Sequence, residues 1–135
     1  MVLVSDDEPA IRRSLHLLLR SRGYNVNGYT TGTALLSDPN ALTADCAILD
    51  YKMPDIDGFA ILKQLRDRGW QGGAILISGF HDRGLFSRAI EAGFADVLAK
   101  PLRGRDVLDA VACHCTPCGC SDARNRKTKV RRPGT

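Results

Sequence analysis

Side chains capable of chemistry follow several apolar segments of this 135-residue sequence. Asp6 and Asp7 follow the first segment, Asp50 ends the segment "AILD", and Ser78 and Lys100 come at the ends of "AILIS" and "DVLAK". Clustered carboxylates repel one another, and a divalent cation such as Mg²⁺, which prefers oxygen ligands, relieves that repulsion. An ammonium group and a hydroxyl beside such an ion suit the oxygens of a phosphoryl group. The residue types therefore predict a site for Mg²⁺ and a phosphoryl group, if the fold brings them together.

The hydrophobic pattern alternates between strand-like and helix-like segments, which must position these side chains. Five short apolar segments predict strands at residues 2–4, 24–29, 46–49, 74–77 and 95–99. Five helices are predicted between and after them: one from Pro9 to Gly23, one at 33–37, one from Phe59 to Gly69, one at 85–92 and one at 102–111.

This alternation predicts an α/β fold with a mostly parallel sheet and helices on both faces. The continuous apolar segments fit strands that are buried on both sides. In open sheets of this kind, ligands bind beyond the carboxyl ends of the strands. The five candidate residues all come at such ends, so we expect them to share one rim of the sheet.

Charge and cysteine are unevenly distributed along the chain. Residues 1–112 hold 13 Lys and Arg against 14 Asp and Glu, whereas residues 113–135 hold 6 against 1. Four of the five cysteines lie in "CHCTPCGC", just after this boundary. We therefore expect one domain at 1–112 and a Cys-rich, then basic, disordered tail at 113–135.

Neither a signal peptide nor a membrane span is indicated by the sequence. The first apolar run is broken by two aspartates, and no apolar run approaches the roughly 20 residues that a membrane helix needs. We expect a cytoplasmic protein without membrane contact.

The segments "SDDEP", "LDYKMPDIDG", "ISG" and "AKPL", in this order, closely resemble the receiver domain of two-component response regulators. The resemblance covers roughly residues 1–112. It implies a flavodoxin-like, doubly wound, five-stranded parallel sheet with strand order 2-1-3-4-5. It also implies a signalling domain that accepts a phosphoryl group from a sensor histidine kinase or phosphotransfer protein, and that catalyses only its own phosphorylation and slow dephosphorylation.

The resemblance also implies individual roles. Asp50 matches the phosphoacceptor, with Ser78 and Lys100 holding the phosphoryl oxygens. The Mg²⁺ ligands would be Asp7 directly, Asp6 mainly through water, Asp50, and the backbone carbonyl of Lys52.

Three further features concern geometry, switching and hydrolysis. The resemblance implies a cis peptide bond before Pro101. The switch residues would be Ser78 and Val97, and Val97 stands where the family usually has an aromatic residue, so we expect weaker or different coupling to the output face. Lys52 and Phe80 would flank the approach of hydrolytic water, and the bulky Phe80 predicts slow self-dephosphorylation.

Other interpretations of the carboxylates are weaker. A haloacid dehalogenase site requires a second aspartate two residues after Asp50, and that residue is Lys52. Asp6 and Asp7 could simply favour a helix N-terminus. We expect Asp57 to cap the third helix and Asp55 to be a solvated loop residue.

The tail gives weaker signals. Cys115 and Cys118 have the spacing of a zinc knuckle, but one compact cluster falls short of a structural zinc site, and we favour reduced cysteines. The basic segment 123–135 could bind nucleic acid electrostatically, yet it lacks aromatic residues, so we expect no direct DNA binding.

Two classes of function therefore remain open. One is a phosphorylation-dependent switch that acts on an unidentified downstream protein, with a candidate homodimer interface on the fourth helix, fifth strand and fifth helix. The other is a receiver-like interaction or dimerisation module that does not switch. An output domain would need about 60 residues or more after residue 112, and this sequence has fewer. We therefore expect a stand-alone receiver or the input half of a transcriptional regulator that lacks its output domain.

Overall fold

The computed structural model describes residues 1–79 and 83–114. Phe80, His81 and the chain from Cys115 onward lie outside the described residues, and so do the expectations attached to them. The strands are β1 (Val2–Ser5), β2 (Val26–Tyr29), β3 (Cys46–Asp50), β4 (Gly73–Ser78) and β5 (Asp96–Ala99). The helices are α1 (Pro9–Arg20), α2 (Gly32–Ser37), α3 (Gly58–Asp67), α4 (Arg83–Ala92) and α5 (Gly104–His114), with a 3-10 helix at Pro39–Thr43.

The five strands form one parallel sheet in the order β2-β1-β3-β4-β5, as predicted. The alternation of strand and helix is also confirmed, with end differences of a few residues. The largest are at α1, which ends at Arg20 instead of Gly23, and at α5, which runs from Gly104 to His114 instead of 102–111. The 3-10 helix had no counterpart among the predicted elements.

Each sheet face has its own apolar core because neighbouring residues of a strand point to opposite sides. Leu3, Leu49 and Leu76 pack towards α2, α3 and α4. Val4, Ile48 and Ile77 pack towards α1 and α5. All six are fully buried. This burial on both faces explains why the strands are continuously apolar.

Local signals begin and end several helices where the sequence places them. Pro9 occupies the start of α1, where its missing N–H leaves no hydrogen bond unmade. The Asp57 carboxylate accepts a hydrogen bond of 2.9 Å from the Ala60 backbone N–H, so Asp57 caps α3 as predicted. Gly23 and Gly69, which follow α1 and α3, have φ of 90° and 94°. No helix in the described part of the chain is long and apolar enough to cross a membrane.

Candidate functional site

Strand register aligns the candidate residues along one rim of the sheet. Ser5, just before Asp6, lies opposite Leu49, just before Asp50. Asp50 in turn lies opposite Ile77, the residue before Ser78. The pairing thus steps from β1 through β3 to β4 and keeps the polar ends level.

The same register continues to β5. Ser78 lies opposite Ala99, the residue before Lys100, and the Lys100 backbone N–H donates a 2.8 Å hydrogen bond to the Ser78 carbonyl. The structure therefore brings together the five residues that the sequence pattern singles out.

Three carboxylates form the acidic cluster at this rim: Asp6, Asp7 and Asp50. One oxygen from each lies within 4.8 Å of the others. Asp6 is fully buried, Asp50 is 3% exposed, and Asp7 is exposed to solvent. Buried carboxylates at such separations are unfavourable without a compensating positive charge.

Lys100 supplies part of that compensation. Its Nζ lies 3.2 Å from an oxygen of Asp6, 3.2 Å from one of Glu8 and 3.3 Å from one of Asp50. Burial opposes the charged form of Lys100, but the carboxylates of Asp50 and Asp6 outweigh it and hold the pKa of Lys100 above its ordinary value. The lysine is therefore cationic and faces the acidic cluster.

The positive charge of Lys100 does not fully offset the burial of the Asp50 carboxylate and its repulsion by Asp6. The pKa of Asp50 is raised to about 6, first because burial disfavours its charge and second because Asp6 is negative. Lys100 and a hydrogen bond from the Lys52 backbone N–H act in the opposite direction. The cluster thus retains excess negative charge around Asp50.

The acidic cluster fits a divalent cation. Asp6 Oδ2 is buried, and its contact with the described residues is the 3.2 Å ion pair with Lys100, which is not counted as a hydrogen bond. A buried acceptor of this kind calls for a further donor or a cation. Three carboxylates form the hard oxygen set that Mg²⁺ prefers.

Close packing places the start of α3 beside this cluster. A Cβ at Gly58 would lie 2.8 Å from the Asp50 carbonyl oxygen, which is closer than side chains approach backbone. The Tyr51 carbonyl accepts a 3.2 Å hydrogen bond from the Gly58 N–H. Glycine thus allows α3 to begin directly against the end of β3.

The other predicted residues occupy the following positions. Ser78 is 2% exposed at the end of β4, and Val97 is half-buried in β5 against the α2–α4 side of the core. The Lys100–Pro101 peptide bond is cis. Lys52 is exposed, and its backbone N–H contacts Asp50.

The family can now be assigned. A family model described as the response regulator receiver domain matches residues 2–112 of the chain. The chain belongs to this family.

Relatives and solved structures agree with this assignment. The receiver domain is similar to the response regulator protein TmoT of Ectopseudomonas mendocina, at 36% identity over 111 residues, covering 82% of this chain and 50% of that protein. It is also similar to the transcriptional regulatory protein FixJ of Azorhizobium caulinodans, at 37% identity over 110 residues, covering 82% of this chain and 52% of that protein. Its structure matches the BeF3-activated DrrB receiver domain with a TM-score of 0.75 at 26% identity, covering 82% of this chain and 92% of that one. The chain spans about half the length of these two curated relatives.

The structure adds three residues to the receiver site that sequence reasoning left without a role. Glu8 pairs with Lys100, and its place after Asp7 at the strand end was the only available signal. The Arg12 guanidinium donates a 2.9 Å hydrogen bond to the Asp6 carbonyl. Nothing in the sequence around Arg12 predicted this contact.

Asp55 is the third residue; it is an exposed loop residue, as expected, but its hydrogen bonds to α2 were not predicted. Although its side chain is exposed, its carboxylate accepts hydrogen bonds from the backbone N–H groups of Gly32 (3.0 Å) and Thr33 (2.8 Å) and from the Thr33 hydroxyl. These donors lie more than 20 positions earlier in the chain, so no local pattern could reveal them.

Proposed function

We propose that this receiver domain accepts a phosphoryl group on Asp50 from the phosphohistidine of a sensor histidine kinase or phosphotransfer protein. The observation that carries the proposal is the placement of Asp50, buried at the end of β3 between the other acidic residues and Lys100. Family membership supports the same role.

The residues divide the chemistry of transfer. A carboxylate oxygen of Asp50 attacks phosphorus, forming an O–P bond while the N–P bond to the donor imidazole breaks and the imidazole retains the electron pair. Lys100 Nζ lies 3.3 Å from an oxygen of Asp50. After transfer, the proposed partner of its ammonium group is an oxygen of the phosphoryl group. The Ser78 hydroxyl, at the end of the neighbouring strand, is the proposed donor to another phosphoryl oxygen.

The proposed cofactor is Mg²⁺, held by Asp6, Asp7, Asp50 and the Lys52 carbonyl. When bound, the ion supplies positive charge that neutralises the phosphoryl oxygens. The buried Asp6 Oδ2, whose partner among the described residues is Lys100 alone, and the raised pKa of Asp50 support this assignment. In this view the domain catalyses only its own phosphorylation and its own slow dephosphorylation.

Transmission of the signal is proposed to run through Ser78 and Val97 to the face formed by α4, β5 and α5. Phe86 and Ile90 support this surface because they lie one turn apart on α4 and are 40% and 42% exposed. We propose the face for a partner or a second copy of the chain. Val97 is smaller than an aromatic ring, so coupling would rely on aliphatic packing.

One experiment separates switching from docking without switching. The protein and its Asp50→Asn variant are compared by NMR with Mg²⁺ and beryllofluoride, which mimics a phosphoryl group on a carboxylate. We expect shifts in α4, β5 and α5 of the unmodified sequence alone. Unchanged shifts on that face, despite changes at Asp50, would favour the non-switching module.

Lifetime, output and location complete the proposal. Phe80 and Lys52 are proposed to flank the approach of hydrolytic water, and the bulky Phe80 to slow hydrolysis, so that Phe80→Glu shortens the lifetime of the phosphorylated state in a phosphate-release assay. An unchanged lifetime would refute this role.

The match to about half of FixJ, named a transcriptional regulatory protein, supports an input domain of a larger regulator acting in the cytoplasm. Absence of direct DNA binding by this chain remains a prediction.

A further inference from the structure

The segment that follows β3 carries the Lys52 carbonyl but has little backbone bonding of its own. This segment, the β3–α3 loop, comprises residues 51–57. Its first residue is fixed by a 2.8 Å hydrogen bond from the Tyr51 N–H to the Ile77 carbonyl, and its end by the Asp57 cap on α3. Among the described residues, positions 53–56 make no backbone-to-backbone hydrogen bond. Side-chain contacts must therefore hold the middle of the loop.

Asp55 provides the principal polar contact. Its carboxylate receives three hydrogen bonds from Gly32 and Thr33 at the start of α2, and Oδ1 also accepts a 2.8 Å bond from the Ile56 N–H. The Thr33 hydroxyl and then the Thr33 N–H are the largest causes that hold the pKa of Asp55 well below its ordinary range. The carboxylate is therefore anionic at neutral pH and bonded to a different segment of the fold.

Apolar side chains also pack where the β3–α3 loop meets the start of α2. A Cβ at Gly32 would lie 2.5 Å from Ile56 Cγ1 and 2.9 Å from Ile61 Cδ1. The loop thus rests on the backbone of α2 so closely that only glycine fits. The polar contacts of Asp55 and the apolar contacts of Ile56 thus hold this part of the loop against α2.

A thioether contact lies on the side of the loop nearer the acidic cluster. Met53 Sδ lies 3.7 Å from the buried Ser5 hydroxyl. Asp55 lies only three positions after Lys52, so rotation of the loop about its ends would displace the Lys52 peptide. That peptide contacts Asp50 through its N–H.

We propose that Asp55 is a positioning residue, which anchors the β3–α3 loop to α2 and thereby holds the Lys52 carbonyl at the acidic cluster. The role rests on the proposed function, because it assumes that the cluster and this carbonyl bind Mg²⁺. Asp55 touches neither the ion nor the phosphoryl group. Its loss acts through loop geometry.

The test compares Mg²⁺ affinity in variants with similar losses of stability. The Lys52 amide shift is followed by NMR during titration with MgCl₂ for the unmodified protein, Asp55→Ala, Thr33→Val and Thr31→Ala. Thr31 is the matched control, since it caps the same helix by accepting a 3.1 Å bond from the Ala34 N–H of α2 itself. Thermal unfolding of each protein gives the accompanying loss of stability.

We expect Asp55→Ala to weaken Mg²⁺ binding about 10-fold, the scale seen when a group that orients a metal ligand is removed. Thr33→Val removes one of the three bonds and should give a smaller loss. Thr31→Ala should lower stability yet leave Mg²⁺ affinity unchanged. In metal-free protein, ¹⁵N relaxation should show residues 52–56 more mobile in Asp55→Ala than in Thr31→Ala.

Two outcomes would overturn the proposal in different ways. Equal Mg²⁺ affinity in Asp55→Ala and unmodified protein, or an equal loss in Thr31→Ala, would refute the positioning role alone. No Mg²⁺-dependent shift in the unmodified protein would refute the metal site, and the positioning role with it.

Discussion

Replacing Asp50 with asparagine should stabilise the metal-free domain at neutral and higher pH. The reason is that the Asp50 charge is buried, close to Asp6, and only partly balanced by Lys100 at 3.3 Å. Asparagine has nearly the same shape and carries no charge. The substitution therefore removes an unfavourable interaction while leaving the packing at the end of β3 in place.

The magnitude follows from the pKa of Asp50. It rises from 3.8 to about 6 in the folded protein, a change of about 2 units. Each unit corresponds to about 1.4 kcal/mol, so the ionised carboxylate lowers the free energy of unfolding by about 2 to 3 kcal/mol.

The sign sets the pH window. A carboxyl group with a raised folded-state pKa favours the folded state while it is protonated, and that advantage is lost as pH rises. Wild type and Asp50→Asn should therefore have similar stability near pH 4. Between pH 4 and about 6 the free energy of unfolding of the variant should rise relative to that of the unmodified protein. Above that range the difference should stay constant.

The assay is urea unfolding of both proteins at several pH values, with EDTA and then with Mg²⁺. Mg²⁺ at pH 8 should stabilise the unmodified protein more than Asp50→Asn and so reduce the difference in stability between them, because the ion binds the folded protein and the variant lacks one of its three carboxylate ligands. A variant that is no more stable than the unmodified protein at pH 8 without metal would refute the electrostatic reasoning. So would a stability difference that does not change with pH.

Two further substitutions test the packing that supports the site. Leu65→Ala removes a fully buried side chain of α3 and should lower the free energy of unfolding by about 2 to 5 kcal/mol in urea titrations. A loss below about 1 kcal/mol would contradict the place of Leu65 in the core. Gly32→Ala forces Ile56 away from α2 and should cost about 1 to 3 kcal/mol by the same measurement, whereas a stabilised variant would show that the loop has room to move.

Much of the site was predictable because parallel strands end at the same rim. Once the apolar segments were recognised as strands, the residues at their ends had to lie near one another. Asp50 and Lys100 are 50 positions apart in sequence and form an ion pair in the fold.

Contacts set by tertiary packing were not predictable in this way. Asp55 has the composition of an ordinary loop residue, and its hydrogen-bond donors at Gly32 and Thr33 become neighbours only when α2 packs beside α3. The 3-10 helix did have a local signal, since Asp38 precedes Pro39 and accepts a 2.9 Å hydrogen bond from the Asn40 N–H. Its five residues are too few for hydrophobic periodicity to register.

The central claim, that Asp50 is the phosphoacceptor, is tested most directly by intact-mass measurement after incubation with acetyl phosphate and Mg²⁺. We predict the addition of one phosphoryl group, its loss when EDTA replaces Mg²⁺, and its location on the peptide that contains Asp50. The Asp50→Asn variant should remain unmodified. No Mg²⁺-dependent addition to the unmodified protein, or the same addition to Asp50→Asn, would contradict the claim.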